Sequence, residues 1–245
     1  MISWPDLGTR VTLRYRRPPG SVPPLTDAVG HLLAIEPVVR VRTKTNTIVE
    51  IAPSDVVVLR VLSDAPVRTA DIRNLERAAA AAAPGAEEFW LDGWLLRGHG
   101  ATPAANSAVP LDLSASVSAI PAIVAWYRAR GLPPRLLIPD RLLRVDLVSV
   151  HTENVLVREV NVEPRDVTDH APAVVTDAPD GTRWVGLPAA LTRDRFDDLL
   201  AWGAAYGATR AYVCVADTDS AAARALGFGL HHRRRYVLPP ENRST

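Results

Sequence analysis

Cysteine, lysine and long apolar runs are the scarcest features of this sequence. Cys214 is the single cysteine among 245 residues, which excludes an internal disulfide and any metal site built from several cysteines. No stretch approaches the ~20 apolar residues of a membrane-spanning helix, and the first residues lack a basic segment followed by an apolar one. We therefore expect a cytoplasmic protein.

Net charge is also nearly absent. The chain has 28 Lys and Arg residues against 27 Asp and Glu residues, and Lys44 is the only lysine. A dedicated nucleic-acid-binding protein usually carries a clear basic surplus, so the total charge does not favour that class. With 47% hydrophobic and 22% charged residues, the composition is that of a folded globular protein.

Residues 8–62 have the pattern of short β-strands. Apolar alternation predicts strands at 10–16, 28–35, 38–43, 47–51 and 56–62. The turn residues between them leave no room for a helix longer than one turn. Five such strands predict a small antiparallel β-barrel of the SH3-like or OB type, which we assign to a domain spanning residues 1–63.

The pattern changes near residues 63–68, after which helices alternate with strands. We predict helices at 69–83, 117–130 and 192–206, and strands at 89–97, 107–113, 135–138, 155–160, 210–215 and 233–238. This alternation predicts a mixed α/β domain over residues 68–245, so the fold class of the whole chain is α+β.

An internal repeat divides this second domain. Ala125-Trp126 precedes Gly131 and an apolar strand, and Ala201-Trp202 precedes Gly207 and another. In both copies a glycine follows an amphipathic helix at the position where a left-handed backbone is common. The repeat indicates two half-units of similar construction.

Three segments carry a resemblance to a known family. They are Gly8–Arg16, Trp90–Arg97 and Trp126–Arg135. The chain resembles actinobacterial GNAT-superfamily N-acetyltransferases that begin with an SH3-like domain. The resemblance implies a GNAT-like second domain that transfers an acetyl group from acetyl-CoA to an amine on a small molecule or a protein.

The same resemblance implies where acetyl-CoA would bind. Its contacts would be the backbone of Val185, Gly186 and Leu187, and the side chains of Thr192, Arg193 and Arg195. In the family a glycine-rich loop at a helix N-terminus holds the pyrophosphate through backbone N–H groups. Here no glycine lies between Gly186 and the predicted helix, and Asp194 adds a negative charge to its first turn.

Two functions therefore stay open. One is an acetyltransferase, for which Asn106 and Glu159 are candidate catalytic residues. The other is a non-catalytic GNAT-like scaffold that binds protein or nucleic acid through the barrel residues Arg14, Arg16, Arg40 and Arg42. Alternation places Arg14 and Arg16 on one face of their strand, and likewise Arg40 and Arg42. Whether the chain is an enzyme, and whether it forms a homodimer, is not decided by the sequence.

The run from His231 to Arg235 is the densest group of basic residues. Adjacent strand residues point to opposite faces, so His231 and His232 are not expected to ligate one metal ion, and we predict no metal site. One interpretation is that the three arginines of this run bind a phosphate or a nucleic-acid backbone. We favour an exposed edge strand protected by charge.

Overall fold

The computed structural model describes residues 4–62, 67–190 and 192–239. The chain divides into two compact units, Met1–Pro66 and Val67–Thr245. The predicted domain boundary near residues 63–68 falls largely on residues 63–66, which lie outside the described residues.

The first unit is one antiparallel sheet. Its strands are β1 (Arg10–Arg16), β2 (Leu25–Ala34), β3 (Val39–Thr43), β4 (Ile48–Ile51) and β5 (Val56–Val61). The strand order β4-β3-β2-β1-β5 places β4 and β5 at the two edges. The predicted small β-domain is confirmed, but within residues 4–62 no β4–β5 pairing closes it into a barrel.

Buried and outward-facing residues alternate along the strands of this unit, and the buried ones form its core. Val11 and Leu13 of β1, Leu32 of β2 and Val41 of β3 have no exposed surface. The positions between them face outward, and most carry polar or charged side chains. One sheet face is therefore buried and the other is hydrated, as in most antiparallel sheets.

Within residues 67–190 and 192–239, the second unit combines a nine-stranded sheet with four α-helices. Its helices are α1 (Thr69–Ala82), α2 (Ile120–Arg128), α3 (Arg193–Ala205) and α4 (Ser220–Ala225). Its strands are β6 (Glu87–Leu91), β7 (Trp94–Gly98), β8 (Ala108–Pro110), β9 (Leu136–Pro139), β10 (Ser149–Glu159), β11 (Val174–Asp177), β12 (Arg183–Leu187), β13 (Arg210–Ala216) and β14 (Gly229–Val237). The predicted α+β class is confirmed.

The topology contains the two predicted half-units. In the first, α2 connects the parallel strands β8 and β9, and in the second, α3 connects the parallel strands β12 and β13. The last strand of each half crosses to the other half, because β10 pairs with β13 and β14 pairs with β9. These two exchanged strands pair with each other at the centre of the sheet.

Helices cover both faces of this sheet. Leu75 of α1 packs on one face with Val155 and Tyr212. On the other face, Leu200 of α3 packs with Val213, while α2 packs on β7 and β9. No helix in the described ranges has the length and apolar composition to span a membrane.

Among the predicted strands of this unit, two differ from the structure in more than their bounds. The predicted strand 89–97 is a hairpin of β6 and β7, whose turn residues Asp92 and Gly93 have φ of 45° and 81°. An Asp-Gly pair is a common two-residue hairpin turn, because both positions take positive φ.

The second difference concerns β14, which was predicted as an exposed edge strand. It lies between β10 and β9 in the interior of the sheet. His232 and Arg234 are 5% and 6% exposed. The edge-strand prediction is wrong because these charged side chains have buried partners on α1 and β10.

Candidate active site

A cavity of about 280 Å³ lies between α1 and the sheet of the second unit. Its wall includes the last turn of α1, the segment 102–104, and the facing parts of β12, β13 and β14. Its charged lining residues are Glu76, Arg97, Glu153 and Arg234. Ligand pockets are commonly ~300 Å³ or larger, so this one suits a small molecule or the reactive end of a larger one.

Glu76 is the buried anion of this site. Its Oε1 lies 2.7 Å from His232 Nε2, with both side chains 2% exposed, and its Oε2 accepts a hydrogen bond from Arg234 Nη1 at 3.4 Å. Burial disfavours the carboxylate, but Arg234 and His232 outweigh that effect and lower the pKa of Glu76 to about 2. Glu76 is therefore a fixed charge and a weak base at neutral pH.

Glu153 is the more accessible carboxylate. Its Oε2 accepts from Arg234 Nε at 2.8 Å and from Tyr236 Oη at 3.4 Å. Its Oε1 lies 3.6 Å from His151 Nε2, and the side chain is 18% exposed. Arg234 thus bridges the two carboxylates, and Glu153 keeps one oxygen that a bound amine could reach.

A β-bulge at His231 brings two histidine rings together. Val155 pairs with His232 whereas Leu156 pairs with Leu230, which leaves His231 as the extra residue. Its Nδ1 lies 2.8 Å from His232 Nδ1. The expectation of opposite faces is therefore wrong here, since it assumes a regular strand. Burial lowers the pKa of His231 to about 4, so its ring is neutral at pH 7.

Arg97 is the second guanidinium of the cavity wall. Its side chain is 1% exposed, and its Nη1 donates to the carbonyls of Ala80 and Ala83 at the end of α1, at 3.3 and 2.9 Å. Its buried Nε has no hydrogen-bond partner among the described residues. Burial lowers the pKa of Arg97, and the nearby Arg234 lowers it further.

Tyr212 and Cys214 line the cavity from β13. Burial raises the pKa of the Cys214 thiol to about 12 and also raises the pKa of Tyr212, so both stay protonated at neutral pH. A protonated thiol is a poor nucleophile. A Cβ at Gly186 would lie 2.5 Å from Tyr212 Oη, so only glycine leaves room for the phenol at this point of β12.

The predicted cofactor residues of β12 lie beside a gap in the sheet. β12 is paired with β13 only as far as Leu187 and Val213, while β13 continues to Ala216 along β10. Gly186 and Leu187 line the cavity at this point. The Val185 side chain is fully buried against α3, on the opposite face.

The other predicted cofactor residues lie at the start of α3, outside the described cavity wall. Thr192 Oγ1 accepts from the backbone N–H of Arg195 at 3.4 Å. The Arg195 guanidinium pairs with Asp169 at 3.1 Å, and Arg193 Nη2 donates to the Ala225 carbonyl at 3.5 Å. Asp194 adds a negative charge to the first turn of α3, and this charge opposes the binding of a phosphate there.

Neither predicted catalytic residue lines the described cavity. Asn106 braces the preceding loop, since its Oδ1 accepts from the Gly100 N–H at 3.0 Å and its Nδ2 donates to the Thr102 carbonyl at 2.9 Å. Glu159 is exposed at the end of β10, where its Oε2 accepts from Asn161. Asn106 thus shapes a loop of the wall, and Glu159 lies apart from it.

The four arginines proposed as a partner surface lie in the first unit. Arg14 pairs with Asp27 at 3.0 Å and Arg40 pairs with Glu50 at 2.8 Å. Arg16 Nη1 reaches the Ser54 carbonyl at 3.5 Å. Local carboxylates therefore compensate two of the four charges.

Sequence reasoning missed Glu76, Arg97 and Glu153. A signal existed for Glu76, because it lies four residues after Ile72 and one after Leu75, on the apolar face of α1. A carboxylate on such a face requires a buried partner. Arg97 and Glu153 lie in strands whose neighbours only the folded sheet reveals. Three or more His, Cys, Asp or Glu side chains placed to hold a metal ion occur nowhere among the described residues.

Comparisons with known proteins agree with this architecture. Residues 5–60 match the family model described as the Rv0428c N-terminal Sm-like domain. Residues 69–171 and 163–237 match the model described as probable histone acetyltransferase Rv0428c C-terminal.

Two individual proteins are similar to this chain. The probable histone acetyltransferase Rv0428c of Mycobacterium tuberculosis is 54% identical over 292 residues, with 97% of each chain covered. A solved GCN5-related N-acetyltransferase from Kribbella flavida has 12% identity and a TM-score of 0.45, with 73% of this chain and 98% of that chain covered.

Proposed function

Because this chain belongs to the family of the probable histone acetyltransferase Rv0428c, in both its Sm-like and its acetyltransferase regions, we propose that it transfers an acetyl group from acetyl-CoA to an amine. The gap between β12 and β13 beyond Leu187 carries the proposal. It opens beside a cavity that holds an accessible carboxylate, Glu153, and a protonated phenol, Tyr212.

When bound, acetyl-CoA supplies the acetyl thioester. The backbone of Gly186 and Leu187 would hold the arm of the cofactor at the strand gap. Glu153 Oε1 would accept the proton that the ammonium group must lose before it can attack. The amine nitrogen would then form the new C–N bond as the C–S bond of the thioester breaks. The CoA thiolate would leave and take up the second proton that this nitrogen loses. Tyr212 Oη donates a hydrogen bond to oxygen charge that develops during transfer. Arg195 would have to break its ion pair with Asp169 before it could bind a phosphate of the cofactor. We therefore expect weak cofactor binding.

A kinetic comparison of two glutamate variants tests this function. Acetyl-CoA and a lysine-containing histone peptide are the substrates, chosen because the mycobacterial relative is named a probable histone acetyltransferase. We expect release of CoA thiol, and a kcat about 100-fold lower for Glu153→Gln. Glu163→Gln, which changes an exposed carboxylate outside the cavity wall, is the matched control. No binding of acetyl-CoA at millimolar concentration would end the proposal.

The start of α3 favours a second candidate. Its glycine-free sequence, its Thr192 cap and its acidic first turn suit a scaffold that no longer binds a pyrophosphate. Such a scaffold would bind protein or nucleic acid through Arg14, Arg16, Arg40 and Arg42. We then expect salt-dependent retention on DNA or heparin that Arg40→Ala with Arg42→Ala weakens. Arg128→Ala with Arg224→Ala removes the same charge from the second unit and is the control.

A further inference from the structure

Arg97 is a buried cation of the cavity wall. None of the ion pairs between described side chains includes it, whereas Arg234, in the same cavity wall, contacts both Glu76 and Glu153. A buried charge normally has a paired counter-charge, because loss of hydration costs several kcal/mol. Glu76 acts on Arg97 only at longer range, so no described carboxylate lies within ion-pair distance of this guanidinium.

The hydrogen bonds of Arg97 leave some of its guanidinium N–H groups without an acceptor among the described residues. Nη1 binds two carbonyls at the end of α1, where the helix dipole favours a positive charge. Nε has no acceptor among the described residues. Both hydrogen bonds given for the side chain are donated by Nη1. A guanidinium with free N–H groups is suited to the bidentate binding of a carboxylate.

We propose that this cavity binds a small carboxylate, held by Arg97, and that the acceptor amine carries that carboxylate. The first part stands on the cavity alone, and the second rests on the proposed acetyl transfer. A volume of about 280 Å³ has room for several water molecules. It accommodates a short amino acid, with its carboxylate at Arg97 and its amine directed to Glu153.

Propionate and propionamide form a matched pair of probes for the full chain. They share a shape and differ in charge. Side-chain NMR of the arginine Nε–H groups follows the binding, and Arg97→Lys assigns the Arg97 signal. We expect propionate to shift this signal, with propionamide binding at least about tenfold more weakly.

A cavity-filling variant keeps the test valid if Arg97 substitutions fail to fold. Ala82 lines the cavity from α1, whereas the adjacent Ala81 is exposed and lies outside its wall. Ala82→Leu should abolish propionate binding, and Ala81→Leu should leave it unchanged. Equal binding of both probes, or full binding by Ala82→Leu, would overturn the carboxylate site.

Acetylation assays separate this inference from the proposed function. β-Alanine and propylamine are compared as acceptors. A lower KM for β-alanine, lost in Arg97→Lys with kcat retained, supports both proposals. Equal acetylation of the two amines rejects the carboxylate-bearing acceptor but keeps acetyl transfer. Propionate binding through Arg97 without any acetylation keeps the carboxylate site and rejects the proposed function.

Discussion

His232 and Glu76 are 156 positions apart in the chain, yet their side chains meet at 2.7 Å in the interior of the second unit. The contact joins α1 to the central strand β14. Arg234, two residues further along the same face of β14, reinforces it. Ionisable side chains thus hold α1 against β14, so the stability of this contact should depend on pH.

Glu76→Gln tests the strength of this connection. The pKa of Glu76 is lowered to about 2, so its stabilising contribution is present above pH 4.5 and is lost as the pH falls toward 2. We expect the variant to lose about 3 kcal/mol at pH 7 and to show a flatter loss of stability below pH 4.5. Urea unfolding followed by tryptophan fluorescence measures this, since Trp4 is the only tryptophan before residue 67.

Asp197→Asn provides the comparison for this experiment. Asp197 is an exposed carboxylate on α3, so its loss should leave the urea midpoint nearly unchanged. If Glu76→Gln kept the wild-type midpoint at pH 7, the carboxylate would not be the anchor described above.

His231 should produce a separate acid response at higher pH. Burial lowers its pKa to about 4. Between pH 6.5 and 4, His231 is therefore protonated in the unfolded chain and neutral in the folded chain. Stability then falls as the pH drops through this window, by roughly 2 kcal/mol. His231→Asn should remove this part of the fall. His99→Asn, at an exposed loop position, should retain it, and identical curves for the two variants would contradict the assignment.

The contact between Gly203 and Val185 sets how closely α3 lies on β12. A Cβ at Gly203 would be 2.9 Å from both Cβ and Cγ1 of Val185. Gly203→Ala should cost about 1–2 kcal/mol despite the better helix propensity of alanine. Combining it with Val185→Ala should cost at least about 1 kcal/mol less than the sum of the single changes, measured by urea unfolding. Additive costs would show that the backbone adjusts without strain.

Asp194 should weaken any binding of CoA phosphates at the start of α3. Its charge lies in the first helical turn, where an anion is repelled. Asp194→Asn should tighten CoA binding about threefold in calorimetric titration. Asp197→Asn removes the same charge beyond the first turn and should have no effect. Equal gains in both variants would point to total charge rather than to this helix end.

Local patterns predicted most elements of the fold. The strand predicted at 10–16 is β1 (Arg10–Arg16), because alternation of buried and exposed residues is a local property. The helix predicted at 69–83 is α1 (Thr69–Ala82), ended by Pro84 and Gly85. The burial of β14 could not be predicted in this way, because its charges are neutralised by residues far away in the sequence.

The same limit applies to the candidate site. The family resemblance singled out Gly186 and Leu187, and both residues line the cavity. The ionised groups around them come from α1, β7, β10 and β14. Arg97 and Glu153 look like ordinary strand residues until the sheet brings those elements together.

The exchange of β10 and β14 makes the two halves mutually dependent during synthesis. Until the nine residues of β14 emerge from the ribosome, β9 and β10 each present an uncovered edge. Such edges invite pairing with other chains. A premature stop before Gly229 would remove β14 and leave the edge of β9 uncovered. The first half would then be incomplete even though all of its own residues had been translated.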